Sequence, residues 1–263
     1  MTQCDLHIHT SFSDGKLGVL DLLKFIREQE INIISITDHD TMDAYYELKE
    51  QEDLCIIPGV EFSCKYEEQE LHILAYDVDL QNSDLLKLLK KIKEKQYMQT
   101  ILFMRKIKRL KLPASVESSI IKARIRSADI KKLFQVNHLS EYYYDELEQI
   151  LLDMKQTQYL PDLEECKQVI RSAGGYSVLA HPYLYFPDED RLLAAVNDIK
   201  ADGLECYSSK HSPEYTKVCI RVANQCNLLI TGGSDFHKGS YNPSWSVEAE
   251  KLSILEQIKK EGK

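Results

Sequence analysis

The chain has 263 residues, of which 43% are hydrophobic and 29% are charged, and its formal net charge is −9. This composition is typical of a globular protein that is large enough to bury a sizeable core. The acidic excess argues against a general nucleic-acid scaffold and against an anionic membrane surface as partner, but not against a local site for a small anion.

The N-terminal stretch "CDLHIHTSFSDG" predicts a strand followed by a turn. His7 and His9 are two residues apart, so a strand points both rings to the same face. Asp14 follows in the turn. This arrangement predicts either a metal site or the solvated side of a surface strand, and the spacing alone does not decide between them.

Apolar runs and amphipathic segments alternate after this strand. The pattern predicts helices over residues 19–30 and 41–52, a buried strand over 31–37, and strands over 54–64 and 70–76. The near-continuous apolar run "INIISIT" is typical of a strand that is covered on both faces of a parallel sheet.

The character of the chain changes near residue 81, where a long lysine-rich helical stretch begins. Helical periodicity continues to about residue 158 with few strand signals. We therefore expect an inserted helical subdomain over 81–158, between a first part (1–80) and a second part (159–263) of one α/β domain. The lysines of the insert are expected to form a solvated face, with a nucleic-acid patch as the alternative.

Strand–helix alternation returns after the insert. The pattern predicts strands over 176–180, 204–209 and 228–231, with helices over 189–203 and 213–227 between them. Seven or so apolar strands separated by helices predict an α/β fold of the distorted (β/α)7-barrel type that carries the helical insert.

Histidines and acids follow the predicted strands at their carboxyl ends. His39 follows the strand over 31–37, His181 follows "YSVLA", and Asp235 follows "LLIT". Active sites of barrel enzymes lie at this end of the strands. Nine residues are candidate ligands: His7, His9, Asp14, His39, Glu61, His72, His181, Asp235 and His237. Six imidazoles and three carboxylates suit Zn, Mn or Fe, and they are too many for a single ion.

With these candidate ligands and the motifs around them, the sequence resembles the PHP (polymerase and histidinol phosphatase) family of metal-dependent phosphoesterases. The matching stretches are "DLHIHTSFSDG", "ISITDHDT", "PGVEFS", "ELHILAY", "VLAHP" and "TGGSDFH", in the family's order. Together with "GLECYSSKHSP" they cover residues 1–80 and about 160–245. No single stretch is specific, but jointly they are.

The resemblance implies a site for three divalent metal ions, which are Mn, Fe or Zn. It assigns the first ion to His7, His9, Glu61 and Asp235, the second to Glu61, His72 and His181, and the third to Asp14, His39 and His237. Asp38 is expected to orient an imidazole rather than to bind an ion.

The resemblance also implies an enzyme, a phosphoric monoester hydrolase in which metal-bound hydroxide attacks the phosphate. The helical insert and the segment around residue 205 look most like the stand-alone 3′,5′-nucleoside bisphosphate phosphatases, some of which degrade short RNA from its 5′ end. The expected substrate is therefore a small phosphorylated molecule, a nucleotide such as a 3′,5′-bisphosphate or a short RNA 5′ end. Histidinol-phosphate phosphatase, a metal-dependent amidohydrolase and a non-catalytic metal-binding regulatory domain stay open as alternatives.

Four residues are candidate substrate contacts. Lys210 and His211 follow a predicted strand, where they would protonate a leaving group, contact a phosphate, or simply form a surface loop. Arg124 and Arg126 lie in the insert where relatives carry an arginine, and one of them would clamp a phosphate.

Seven cysteines at irregular spacing, with no CxxC pair, predict reduced thiols. The N-terminus lacks the pattern of a signal peptide, and no apolar run approaches the roughly 18 residues of a membrane helix. We therefore expect a cytoplasmic protein with no membrane partner and no stable nucleic-acid complex.

Overall fold

The computed structural model describes residues 2–48, 51, 53–122, 127–154, 156–239, 241–242 and 245–260. The strands are β1 (Gln3–Ile8), β2 (Ile33–Ile36), β3 (Cys55–Ile56), β4 (Gly59–Tyr66), β5 (Gln69–Tyr76), β6 (Tyr176–Leu179), β7 (Gly203–Ser208), β8 (Leu229–Gly233) and β9 (Val247–Glu248). The α-helices are α1 (Val19–Glu28), α2 (Asp43–Glu47), α3 (Ser83–Ile107), α4 (Ala114–Lys122), α5 (Ser127–Val136), α6 (Ser140–Asp153), α7 (Leu163–Ser172), α8 (Glu189–Ile199), α9 (Pro213–Gln225) and α10 (Ser253–Lys260).

The strands form two sheets, with the orders β3-β2-β1-β9 and β4-β5-β6-β7-β8. Two isolated parallel bridges connect them, Ile8 with Phe236 and His39 with Glu61. The predicted mixed α/β fold is confirmed, but the strands described here do not form the single closed sheet of the predicted barrel. His39 and Glu61 are predicted ligands, and Ile8 and Phe236 are each one residue from predicted ligands. The two sheets therefore meet at the candidate site.

Strand β5 departs from the parallel arrangement that the barrel prediction implies. It is antiparallel to both β4 and β6. Only two residues, Glu67 and Glu68, separate β4 from β5, and a connection this short permits a hairpin but not a parallel crossover. Glu67 adopts the positive φ that such a tight turn requires.

Two further sequence predictions need correction. The predicted helix over 41–52 is shorter, since α2 spans Asp43–Glu47. The predicted strand over 54–64 is divided into β3 and β4 around Pro58, which has no N–H to donate to a ladder. The segment beyond residue 237 contains β9 and α10, for which the sequence analysis made no prediction.

Apolar side chains from both sheets pack together beneath the candidate site. Leu6 of β1 lies in one buried cluster with Leu74 of β5 and Val178 of β6. Ile8 packs against α1, so the alternation of apolar and imidazole side chains along β1 has its predicted effect. The core therefore holds the apolar face of β1 in place while its histidines face the other way.

The helices of the insert have a hydrophobic core of their own. Phe103 and Ile107 of α3 pack with Phe134 of α5 and with Leu147 and Ile150 of α6. The first half of α3 packs instead against the α/β part of the chain through Leu85, Leu88 and Ile92. The insert is helical as expected, and its limits at residues 81 and 158 stay a prediction.

All seven cysteines lie in the described ranges, and none forms a disulfide. Within those ranges no helix combines the length and the apolar character needed to cross a bilayer.

The turn that carries Asp14 depends on Gly15. A Cβ at Gly15 would lie 2.3 Å from the carbonyl oxygen of His9, which is closer than any real contact. The backbone of this turn therefore folds directly onto the end of β1, with the amide of Gly15 donating to the carbonyl of Thr10 at 3.0 Å. This close approach brings the Asp14 carboxylate to the imidazoles.

We predict that Gly15→Ala lowers the free energy of unfolding by about 1–3 kcal/mol, the usual cost of overpacking. Urea unfolding measures this change. Gly18→Ala is the matched control, because a Cβ at Gly18 meets nothing within 4 Å. Equal stability of the two variants would show that the turn does not require the close approach.

Candidate metal centre

All nine predicted ligands lie at one end of the strands. His7 lies in β1, Glu61 in β4 and His72 in β5. The other six follow strand ends: His9 and Asp14 after β1, His39 after β2, His181 after β6, and Asp235 and His237 after β8. The structure thus brings together residues that are up to 230 positions apart in the sequence.

Glu61 lies at the middle of this cluster, and its side chain has no exposed surface. Five imidazoles each place a ring nitrogen within 3.2 Å of one of its two carboxylate oxygens. His7, His9 and His39 approach Oε2, each at 3.2 Å, and His72 and His181 approach Oε1 at 2.9 and 3.0 Å. One carboxylate is therefore shared by imidazoles from five separate segments.

Asp235 and Asp14 complete the cluster on the side of His9. Asp235 Oδ1 lies 3.3 Å from His9 Nε2 and 3.5 Å from His7 Nε2. Asp14 Oδ1 lies 3.2 Å from His237 Nε2 and 3.7 Å from His9 Nδ1. His9 therefore contacts Asp14 through its Nδ1 and Glu61 through its Nε2.

The donor set fits divalent metal ions. Four groups of at least three ligand atoms lie within 4.8 Å of one another: His9, Asp14, His39 and His237; His7, Glu61 and His181; His7, His9 and Asp235; and His39, Glu61 and His72. Within the described residues, His7 Nε2, His9 Nε2 and Glu61 Oε2 are buried without a hydrogen-bond partner. Buried polar atoms are normally hydrogen-bonded, so ligand atoms that face one another at 3.2 Å without a hydrogen bond fit a site for a cation.

Charge in the metal-free cluster supports the same interpretation. Burial alone would raise the pKa of Glu61, but the surrounding imidazoles, His39 and His7 foremost, hold it well below its usual value. Burial opposes protonation of the imidazoles too, yet the neighbouring carboxylates raise the pKa of His9 to about 9 and that of His72 to about 10. Protons thus supply the positive charge that the carboxylates require when metal is absent.

Glu205 is a buried carboxylate that the sequence analysis missed. Its Oε1 accepts a hydrogen bond from Nδ1 of His7 at 2.9 Å, and its Oε2 accepts one from the backbone N–H of His181 at 2.5 Å. A proton on Nδ1 leaves the lone pair of His7 Nε2 directed at Glu61. An acidic residue in the otherwise apolar strand β7 was the available signal.

Two other acids hold the backbone around the cluster. Asp38 accepts from Thr10 and from Ser13, whose hydroxyl lies 3.4 Å from Nδ1 of His9, so these contacts link Asp38 to an imidazole through Ser13. Asp5, whose pKa burial raises to about 6, accepts from the backbone N–H of Ser234 at 2.8 Å. Both carboxylates fix segments that carry predicted ligands.

The predicted substrate contacts separate into three cases. Lys210 reaches the cluster, with its Nζ 3.4 Å from Asp235 Oδ2. His211 does not: its Nδ1 lies 3.1 Å from the carbonyl oxygen of Cys206, and its ring packs on Tyr215. Arg124 and Arg126 lie outside the described residues.

Comparisons with known proteins agree with this geometry. The family model described as "PHP domain" matches residues 5–177, more than half of the chain. The 5′-3′ exoribonuclease Rnm of Escherichia coli is 29% identical over 89% of this chain and 85% of that protein. A 3′,5′-nucleoside bisphosphate phosphatase of Chromobacterium violaceum is 24% identical over 90% of this chain and 88% of that protein.

Among solved structures, a metal-dependent phosphoesterase assigned in Bifidobacterium adolescentis has the same fold. The two structures superpose with a TM-score of 0.70 at 23% sequence identity, and the match covers 98% of this chain and 94% of the Bifidobacterium adolescentis chain.

The protonated imidazoles predict a pH dependence for the chelated protein. A histidine whose pKa is raised on folding stabilises the fold below its unfolded pKa of about 6.5, and loses this effect as the pH rises through its folded pKa. We therefore expect the Tm in EDTA to fall by several degrees between pH 6.5 and pH 10, the value for His72.

Saturating Mn²⁺ should weaken this dependence, because the ions replace the protons. His72→Asn should reduce the fall of the Tm with pH in EDTA. His138 is exposed, so His138→Asn is the matched control and should leave this pH dependence unchanged. A profile in EDTA that is flat or rises over this range would contradict the assignment of charge in the cluster.

Proposed function

Because the chain belongs to the PHP domain family of metal-dependent phosphoesterases, we propose that it hydrolyses a phosphoester at the 5′ end of a short RNA. The observation that carries the proposal is the sharing of one buried carboxylate, Glu61, by five imidazoles. The exoribonuclease name of the Escherichia coli relative supports the choice of substrate.

We propose that the cluster holds three divalent ions of Mn, Fe or Zn. As the family resemblance implies, His7, His9, Glu61 and Asp235 would hold the first, Glu61 with His72 and His181 the second, and Asp14 with His39 and His237 the third. Imidazole and carboxylate donors suit each of these metals. Two observed groupings of ligand atoms support parts of this assignment: His7, His9 and Asp235 form one, and Asp14, His39 and His237 lie together in another. Glu61 would belong to both the first and the second site, and imidazoles approach both of its carboxylate oxygens.

The ions, when bound, supply Lewis acidity that lowers the pKa of water and polarises a phosphoryl oxygen. Three divalent ions outweigh the charge of Asp14, Glu61 and Asp235, so the centre is cationic and attracts a phosphate dianion.

Lys210 is the chain's own candidate for a phosphate contact. Its side chain is 41% exposed, and its ammonium group lies beside Asp235 at the edge of the cluster. From there it would donate to a phosphoryl oxygen and orient the ester for attack. Burial lowers the pKa of His211, which favours the neutral imidazole and makes His211 the weaker candidate for a proton donor.

A second candidate activity is removal of a phosphate from a 3′,5′-nucleoside bisphosphate. The Chromobacterium violaceum relative carries this name and matches most of the chain. Both activities place a phosphate of a nucleotide at the same centre, and they differ in whether the attacked phosphorus belongs to a diester within an RNA chain or to a terminal monoester.

We predict Mn²⁺-dependent turnover of a 5′-phosphorylated oligoribonucleotide by protein stripped of metal and then reloaded. Adenosine 3′,5′-bisphosphate tests the second candidate, and AMP and histidinol phosphate are the comparison substrates. Chromatography of nucleotide products and phosphate release measure the rates. Turnover of histidinol phosphate alone, or equal rates without metal, would contradict the proposal.

Glu61→Gln is expected to lower the rate by at least about 100-fold, because losing a bridging ligand costs more than losing a supporting contact. Glu68→Gln is the matched control, since Glu68 lies 92% exposed in the β4–β5 turn. It should retain the parent rate.

A further inference from the structure

A cavity of about 460 Å³ lies next to the metal centre but contains none of the nine predicted ligands. It is bounded by the carboxyl end of β7, by the start of α9 and by residues 245–251. Its volume is within the range of sites that bind small molecules. The proposed function leaves this cavity without a role.

The cavity and the metal centre are neighbours across a single residue. Ser209 and His211 line the cavity, and Lys210 between them extends its ammonium group to within 3.4 Å of Asp235 Oδ2. The loop over residues 208–211 therefore contributes both to the wall of the cavity and, through Lys210, to the edge of the cluster.

The charge of the lining excludes a phosphate as the occupant of the cavity itself. Glu248 and Lys251 are the acidic and basic residues of the lining, and they are paired with each other at 2.8 Å. Burial lowers the pKa of His211, which favours its neutral form. The lining thus suits an uncharged, polar molecule.

The side chains of the walls favour an aromatic heterocycle. Trp245 and Tyr207 line the cavity, and Tyr241 packs edge-on with the indole, with the two ring centroids 5.6 Å apart. Nε2 of His211 is buried and has no hydrogen-bond partner among the described residues. A nucleobase supplies both a face to stack on the rings and edge atoms to pair with such a nitrogen.

We propose that this cavity binds the nucleobase of the nucleotide whose phosphate is presented to the metal centre. The proposal rests on the proposed function for the identity of that phosphate. The base would stack on Trp245, and Lys210 would contact the phosphate at the boundary between the two sites. Recognition by stacking is tolerant of base identity, as degradation of RNA of mixed sequence requires.

The chain has a single tryptophan, so its fluorescence reports on the cavity directly. We would titrate the protein in EDTA with adenosine, with ribose 5-phosphate and with inorganic phosphate, exciting at the red edge of the indole band where adenosine does not absorb. Adenosine should quench Trp245 saturably, with a dissociation constant on the order of 1 mM or lower, and the two phosphates should not.

Two results would overturn the proposal. One is the absence of saturable quenching by adenosine up to about 10 mM, well above the expected constant. The other is equal quenching by ribose 5-phosphate, which would place the signal at the metal centre. Because these titrations use protein stripped of metal, they do not depend on the proposed activity. Quenching without hydrolysis would contradict the proposed activity alone. Hydrolysis without quenching would contradict only the proposal that the cavity binds the base.

A kinetic test separates binding of the base from a general loss of structure. Trp245→Leu should raise KM for AMP or adenosine 3′,5′-bisphosphate, whichever the enzyme hydrolyses, by about 5- to 150-fold, the equivalent of one stacking contact. KM for ribose 5-phosphate, and kcat for each substrate, should change little. Tyr46→Leu is the control, because Tyr46 is 64% exposed and lies outside the cavity lining. An equal rise of KM for ribose 5-phosphate would contradict the assignment of Trp245 to the base.

Discussion

A buried carboxylate surrounded by imidazoles is the constraint on which the rest of the structure depends. Glu61 has no exposed surface, and an isolated buried carboxylate is too costly for a fold to retain. Five imidazoles compensate its charge, by holding protons when metal is absent and, as proposed here, by holding divalent ions when metal is present. The fold must therefore deliver ring nitrogens from five segments to one point.

The architecture meets this requirement through the junctions of its two sheets. One isolated bridge joins His39 directly to Glu61, and the other joins Ile8, between two predicted ligands, to Phe236. His181 and Asp235 both adopt positive φ, a conformation that non-glycine residues rarely take and that is commonly found at functional sites. Glu205 holds the amide of His181, and the carbonyl of His7 accepts from the amide of Asp235 at 2.8 Å. The backbone strain is thus stabilised by contacts within the site itself.

Several features were predictable from the sequence because they are local. The spacing of His7 and His9 in a strand, and the positions of His39, His181 and Asp235 after apolar runs, follow from the period of a strand and from the common direction of parallel strands. The antiparallel β5, the incomplete closure of the sheets and the role of Glu205 depend on which segments meet in space. No pattern within one segment encodes them. Asp38 shows the same limit: its proximity to His39 in the sequence does not reveal that the fold directs its carboxylate to Thr10 and Ser13.

The most direct test of the account is the metal content of the protein and of its Glu61→Gln variant. Each is stripped with chelator, dialysed against Mn²⁺ under anaerobic conditions, passed through a desalting column and measured by elemental analysis. The account predicts close to three ions per chain in the parent protein and the loss of at least one in the variant, because Glu61 belongs to two of the four ligand groups. A parent protein that retains no metal, or a variant that retains as much as the parent, would contradict the central role of this carboxylate.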